Sequence, residues 1–225
     1  MGEDRPSATI DDYLQAIYSL ETEGEKVISA RLARWMDVTP ATSGATIQRM
    51  QRDGMVVVDD KKNIALTKEG RKLAENIARR HRLSERFLVE ALGLGWAEAH
   101  AEAHRFEHGV TPVIEERISA MLGNPQTCPH GSPIPGNGAT LSSKLVPLDT
   151  LEEGESATIE FISEELEQDS KLMHYLETHN VKPGQEVITK ERVPASGLLT
   201  LSVSSQQVPL GLDVASRIRV SRLAA

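Results

Sequence analysis

Hydrophobic residues recur along the first third of the chain at helical intervals. Ile10, Tyr13, Leu14, Ile17 and Leu20 share one face between Thr9, a capping residue type, and Gly24, so the spacing predicts an amphipathic helix over 9–23. Ala30, Leu32, Ala33 and Met36 predict a second, short helix over Ser29–Met36, broken at Asp37 and Val38. Thr39 followed by Pro40 is a cap-then-proline start. The helix it opens carries Thr46, Ile47, Met50 and Met55 on its apolar side and stops at Gly54. Two short strand-like runs follow, Met55–Asp59 and Asn63–Thr67, separated by Asp60-Lys61-Lys62. Helix, turn, helix and a hairpin wing make a winged helix-turn-helix.

Farther along, the period changes twice. Lys68–Leu92 reads as one long helix with Leu73, Ile77, Leu83, Phe87 and Leu88 among its apolar positions, and further helices are expected over Trp96–His108 and from Thr111-Pro112 to Leu122. Gly123–Thr140 then holds four prolines and four glycines, the composition of a linker. Beyond it the alternating runs Ala157–Phe161, Leu199–Val203 and Ile218–Val220 predict strands, with a helical insertion over Glu164–His179, and a small antiparallel barrel is expected. The fold class is mainly α with β.

Charge sharpens this picture. The chain carries a net −8, yet Lys26–Arg86 holds fourteen lysines and arginines against seven aspartates and glutamates. A basic segment in an acidic protein suits a DNA reader joined to a cation-binding region, although a solvated helical surface gives similar counts. In a winged helix the N-terminal part of the second helix of the pair enters the major groove. That places Thr39, Pro40, Thr42, Ser43 and Gly44 near base edges or phosphates, with Arg49, Arg52, Lys61 and Lys62 on the backbone. Met1–Ser7 lacks the basic start and apolar stretch of a secretory leader, and no apolar run approaches the ~20 residues of a membrane span. With the single cysteine, Cys128, the expectation is a cytoplasmic protein off the membrane.

The candidate chemistry lies on the two middle helices. His81 and Glu85 are four apart, and His100, His104, Glu107 and His108 form a stripe on the next helix. Imidazole nitrogen and carboxylate oxygen together suit Mn²⁺, Fe²⁺ or Zn²⁺. Alone, the His81–Glu85 pair also reads as a surface helix contact, and the stretch Glu160–Asp169 as a solvated acidic face. Asp12, three residues after Thr9, reads as the first-turn acid of a capped helix. Cys128 and His130 are assigned to loop chemistry, although such a pair could bind metal.

Taken in order, these motifs resemble the diphtheria-toxin-repressor family of iron- and manganese-dependent regulators over essentially the whole chain. The resemblance rests on Asp12-Tyr13-Leu14-x-x-Ile17-Tyr18, Arg49-Met50-x-Arg52-Asp53-Gly54, Arg80-His81-Arg82-Leu83-x-Glu85-Arg86, His100-x-Glu102-Ala103-His104-x-x-Glu107-His108 and Pro129-His130-Gly131-x-Pro133-Ile134-Pro135. It implies a switching metal site from Asp12, His104, Glu107 and His108, and an ancillary site from His81, Glu85 and His100 completed by Glu164 and Glu167, hence two ions per chain. It further implies a homodimer on an inverted-repeat DNA operator, metal-homeostasis genes as targets, and a C-terminal SH3-like domain. Iron-type members carry sulfur ligands where Asp12 and His104 stand, so the harder donors here favour Mn²⁺, with Fe²⁺ close. Manganese-type members often have glutamate at the places of Gln15 and His104, and Ala45 stands where some relatives read a base with glutamine. The implied domains are 1–72 for the reader, 73–140 for metal binding, dimerisation and linker, and 141–225 for the SH3-like part. Two other classes fit the cluster: a metallohydrolase, and a metal-binding dimerisation protein that does not read DNA. The first lacks a His-Glu-x-x-His order and a separate nucleophile or base.

Overall fold

The computed structural model describes residues 9–223; the leaderless start read from Met1–Ser7 lies outside them. The chain divides into two compact units between Arg79 and Arg80. Among the described residues, no helix is long and apolar enough to cross a membrane.

In the first unit, helices α1 (Ile10–Thr22), α2 (Ser29–Trp35) and α3 (Pro40–Arg52) precede a hairpin of β1 (Val56–Val58) and β2 (Ile64–Leu66), and α4 (Lys68–Glu90) begins here. Thr9 starts α1 with a reciprocal capping box: its side chain accepts from the Asp12 amide, and the Asp12 carboxylate accepts from the Thr9 amide. The predicted apolar face of α1 is the buried one, with Leu14, Ile17 and Leu20 at 1% exposure or less. Each such side chain contributes about 1.5–3 kcal/mol by leaving water. Gly70 lets the first turn of α4 close on the hairpin, because a Cβ there would fall within 1.9 Å of the Met55 carbonyl oxygen.

The second unit holds α5 (Trp96–Phe106), a 3₁₀ turn over Glu107–Gly109, α6 (Pro112–Met121), and an irregular stretch leading to β3 (Val146–Pro147). Then come β4 (Ser156–Ile162), α7 (Glu164–Glu167), α8 (Ser170–Thr178), β5 (Glu186–Val193), β6 (Leu198–Val203), β7 (Gln206–Gly211), α9 (Leu212–Ala215) and β8 (Ile218–Arg222). The Pro/Gly-rich stretch is tied down rather than loose: the Ile162 amide donates to the His130 carbonyl. Gly131, at φ +91°, sits where a Cβ would fall within 2.2 Å of the Glu160 carbonyl oxygen. Only glycine lets the two backbones come that close.

The expected SH3-like barrel is not formed. The six strands make an open antiparallel sheet in the order β3-β8-β4-β5-β6-β7, and no ladder joins β3 to β7. Closure requires a staggered ladder along the full length of both edges. Here β3 contributes two residues, one of them Pro147 without an N–H, and the chain turns at once into the 3₁₀ segment Leu148–Thr150. Alternation in the sequence reports which face of a strand is buried; it carries no information on whether the sheet closes.

Candidate nucleic-acid interface and metal centre

Helix α3 buries Ser43, Ile47 and Met50 and turns its other face outward. Thr39, the N-cap, accepts from the Thr42 amide at 3.1 Å, and the two hydroxyls lie 2.8 Å apart. Thr39, Pro40, Thr42, Arg49 and Arg52 are exposed, and Gly44 is half-buried with open space beyond its Cα. Ser43 departs from its expected place: it is fully buried, and its hydroxyl donates to the Ser29 carbonyl at 3.2 Å, so it ties α3 to α2. Lys61 and Lys62 are exposed at the tip of the hairpin. That tip is fixed by Asp59, whose side chain accepts from the amide and side chain of Asn63 at 2.8 Å each, and these bonds lower its pKa.

The metal-ligand candidates of the second unit form one buried chain of contacts. His81 reaches Glu85 through Nε2 at 3.1 Å and Glu107 through Nδ1 at 2.6 Å. The Nδ1 of His100 stands 2.9 Å from Glu85 and 3.1 Å from Glu167. His130 stands 3.1 Å from Glu167 and 3.8 Å from Glu85, with the Cys128 sulfur 4.0 Å from its Nδ1. Among the described residues, three groups have donor atoms close enough to share an ion: His81, Glu85, His100 and Glu167; His81, His104 and Glu107; and Glu85, Cys128 and His130. His81 belongs to two of these groups and so does Glu85.

Helix geometry explains the grouping. His100 and His104 are one turn apart on α5, and the tighter 3₁₀ turn that follows brings Glu107 inward at 4% exposure. His108 falls on the outside of that turn and is exposed. On α7, Leu166 anchors in the sheet core while Glu167 joins the histidines. Glu164, at the other end of the same turn, is directed elsewhere: its carboxylate accepts from Arg82 Nε at 2.7 Å, both residues being buried. Glu164 is therefore not among the clustered residues. Asp12 lies in the first unit, in the capping box described above. His81 and Glu85 are both fully buried, which removes the surface-contact reading, and Glu164 and Glu167 are likewise no solvated face.

Electrostatics follow from packing imidazoles and carboxylates together out of water. Burial pushes the His81 pKa down, but the charges of Glu85 and Glu107 and their hydrogen bonds outweigh it and hold it well above the ordinary value. Burial likewise lowers His100 and His130, but Glu167 and Glu85 outweigh it, raising the pKa of His100 and holding that of His130 well above the ordinary value. Glu85 is held well below the usual carboxylate range: burial raises it, and the His81 charge, the His100 hydrogen bond and the His130 charge prevail. Burial and the nearby carboxylates push the Cys128 thiol up. Even so, Glu85 Oε2, both Glu167 oxygens and His130 Nε2 are buried without a hydrogen bond. The Glu167 carboxylate is paired in charge with His100 and His130, but buried polar atoms that lack an aligned hydrogen bond remain costly. Their convergence with imidazole nitrogens fits a divalent transition ion, which would take up those lone pairs.

Cys128 and His130, expected from the sequence to serve only loop chemistry, lie within this cluster. The signal lay in the Pro129-His130-Gly131 stretch, but only the pairing of that stretch with β4 brings it to Glu85 and Glu167.

Comparison with known proteins matches three family descriptions along the chain. They are the N-terminal DNA binding domain of iron dependent repressors at 7–64, their metal binding and dimerisation domain at 67–136, and the FeoA domain at 146–222. The iron-dependent repressor IdeR of Mycobacterium leprae is 34% identical over 225 residues, covering 96% of this chain and 97% of that protein. The diphtheria toxin repressor of Corynebacterium diphtheriae is 34% identical over 223 residues, again covering 96% and 97%. Among solved structures, a manganese-dependent transcriptional repressor in complex with manganese superposes with a TM-score of 0.82 at 32% identity, covering 96% of this chain and all of the other. ScaR with bound Zn²⁺ gives 0.79 at 29% identity over 96% of this chain.

Proposed function

Because the chain belongs to the family of iron-dependent repressors that includes the diphtheria toxin repressor, we propose that its operator binding is switched by Mn²⁺, with Fe²⁺ the near alternative, at two ions per chain. The chain is a metal-dependent, DNA-binding transcription regulator of that type and acts as a homodimer. The family is not catalytic, so the metallohydrolase alternative falls away. Metal-homeostasis genes are the proposed targets, in the sense of repression.

The observation that carries this reading is the overlap of ligand groups. His81, Glu85, His100, His104, Glu107, Cys128, His130 and Glu167 make three groups only by sharing His81 and Glu85, and the distinct donors suffice for two four-ligand sites. We assign one ion to Glu85, His100, Glu167 and the Cys128–His130 pair. The other goes to His104 and Glu107 with exposed His108, with His81 standing in both sets. Asp12 is carried as a further ligand of that second ion on the family resemblance. Nitrogen and oxygen donors dominate both sets, which favours Mn²⁺; the Cys128 sulfur is the one soft donor and would draw a softer ion. The metal supplies only charge and fixed bonds here. Held by these residues, it would favour the arrangement of the chain that binds DNA, and a ~10²-fold change in affinity requires about 2.7 kcal/mol of differential binding.

At the DNA, Thr39, Pro40, Thr42 and Gly44 of α3 are assigned to the groove, and Arg49, Arg52, Lys61 and Lys62 to phosphates. Selection of duplexes from a random pool, with and without Mn²⁺, tests the whole reading. Enrichment of an inverted repeat only when Mn²⁺ is present is expected. Equal enrichment in a chelator would refute metal dependence.

A further inference from the structure

We infer that Glu177, on α8, is a positioning residue for the metal centre: it holds the first turn of α5, the helix that carries His100 and His104. The inference rests on the metal reading above and concerns what sets the geometry of that centre.

Helix α5 starts without a cap of its own. Gly95 occupies the N-cap, and no side chain of the segment satisfies the first amides. Glu177 does so from 81 residues away in sequence, its Oε2 accepting from the Trp96 amide at 3.1 Å. A carboxylate at this end of a helix also faces the positive pole of the helix dipole. Gly95 has an ordinary φ of −67°, so its backbone does not demand glycine. A Cβ on Gly95 would lie 3.2 Å from that same Oε2, so a side chain there would press on the carboxylate that caps the helix.

Glu177 is itself well held. Asp169 caps α8 by accepting from the amides of Lys171 and Leu172 at 3.0 Å each, and Met173 and Leu176 are buried in the sheet core. The group it holds bears directly on the ligands. Trp96 is buried, and its ring meets His130 edge-on with centroids 4.7 Å apart and planes at 88°. One helical turn after Trp96 comes His100, and another turn later His104. Fraying or tilting of the first turn of α5 therefore moves a ligand on each side of it. A chain whose α5 start is ordered only part of the time binds metal more weakly by that fraction.

The test uses the full chain, stripped of metal and titrated with Co²⁺ followed by its visible absorption, with Mn²⁺ as competitor, well below the melting temperature of every variant. Glu177→Ala is expected to bind about three- to tenfold more weakly, the range set by loss of a helix cap. Glu177→Gln, which keeps an accepting oxygen and loses the charge, should fall between. Gly95→Asp placed in the Glu177→Ala chain supplies a local cap, and it should bring affinity back to within about twofold. Unchanged affinity in folded Glu177→Ala overturns the inference. So does a loss that neither Gly95→Asp nor Gly95→Ser recovers, because the defect would then be one of packing. A wild-type chain that takes up no Co²⁺ overturns the metal reading itself, and this inference with it.

Discussion

Glu164→Ala separates two roles for one carboxylate. The family resemblance makes Glu164 a metal ligand, whereas the structure spends it on Arg82, at 2.7 Å and with both partners buried. Deleting the carboxylate leaves a guanidinium out of water with the Pro133 carbonyl as an accepting partner on Nη1. Breaking a buried pair by removing one side costs about 3–5 kcal/mol, because the surviving charge keeps its desolvation penalty. At about 2–4 °C per kcal/mol for a domain of this size, the melting temperature should fall by roughly 6–20 °C.

Calorimetry on the metal-free chain reads that loss, and a Co²⁺ titration at low temperature reads the ligand role. Affinity should stay within about threefold of wild type, a second-sphere effect at most. Replacing both partners, Arg82→Met with Glu164→Leu, should recover most of the lost stability, since no charge remains to be desolvated. A Glu164→Ala chain that melts with wild type and binds metal more than about tenfold less tightly would refute the reasoning and restore Glu164 to the ligand set.

Glu85→Gln removes the carboxylate shared by two ligand groups. Metal affinity should drop by about a hundredfold or more, the size of losing a buried, charge-assisted contact, and Mn²⁺ should no longer tighten DNA binding in an anisotropy titration. Because the pKa values of His81, His100 and His130 are raised, a metal ion competes with protons for these rings, and apparent affinity should rise with pH. Titration calorimetry in two buffers of different ionisation enthalpy counts the protons released; zero release would mean the rings are neutral beforehand. The sign reverses for the metal-free fold. The raised histidines stabilise it fully below about pH 6.5 and cease to as pH rises through their folded values, while depressed Glu85 stabilises it above about pH 4.5 and ceases to as pH falls. Gly131→Ala meets both a positive φ and the Glu160 carbonyl, so it should cost more than about 1 kcal/mol in urea unfolding, and an unshifted midpoint would contradict the close approach. Lys61→Ala and Lys62→Ala should each lower the salt slope of DNA binding by about one without altering metal affinity; an unchanged slope would remove the hairpin tip from the interface.

Local rules carried the first unit and failed where distant segments meet. The caps at Thr9, Thr39 and Thr111 and the periodic apolar faces were readable because each depends on residues within a turn or two. Ser43 was readable too: it stands four and seven residues before Ile47 and Met50, hence on the buried face, although its place in the N-terminal part of α3 pointed to the groove. The split between Glu164 and Glu167 was not legible, since a four-residue helix gives no face until the surrounding core fixes one. Neither was the part played by His130, which depends on a pairing with Ile162 across the whole linker and first strand of the sheet.

What those distant contacts assemble sets carboxylates against imidazoles out of water. Three carboxylates, Glu85, Glu107 and Glu167, face His81, His100 and His130, and their contacts favour the protonated form of each ring. A divalent ion that displaced two of those protons would leave the net charge of the buried cluster unaltered, whereas one that displaced none would add two positive charges to a site out of water. The first course avoids a desolvation cost of several kcal/mol per uncompensated charge. Uptake of the first ion should therefore proceed by exchange of about two protons, and the second ion, drawing on His104, Glu107 and exposed His108, should release fewer. Equal proton release for both ions would mean that the two sites draw on the buried histidines alike, and that His81 does not divide them.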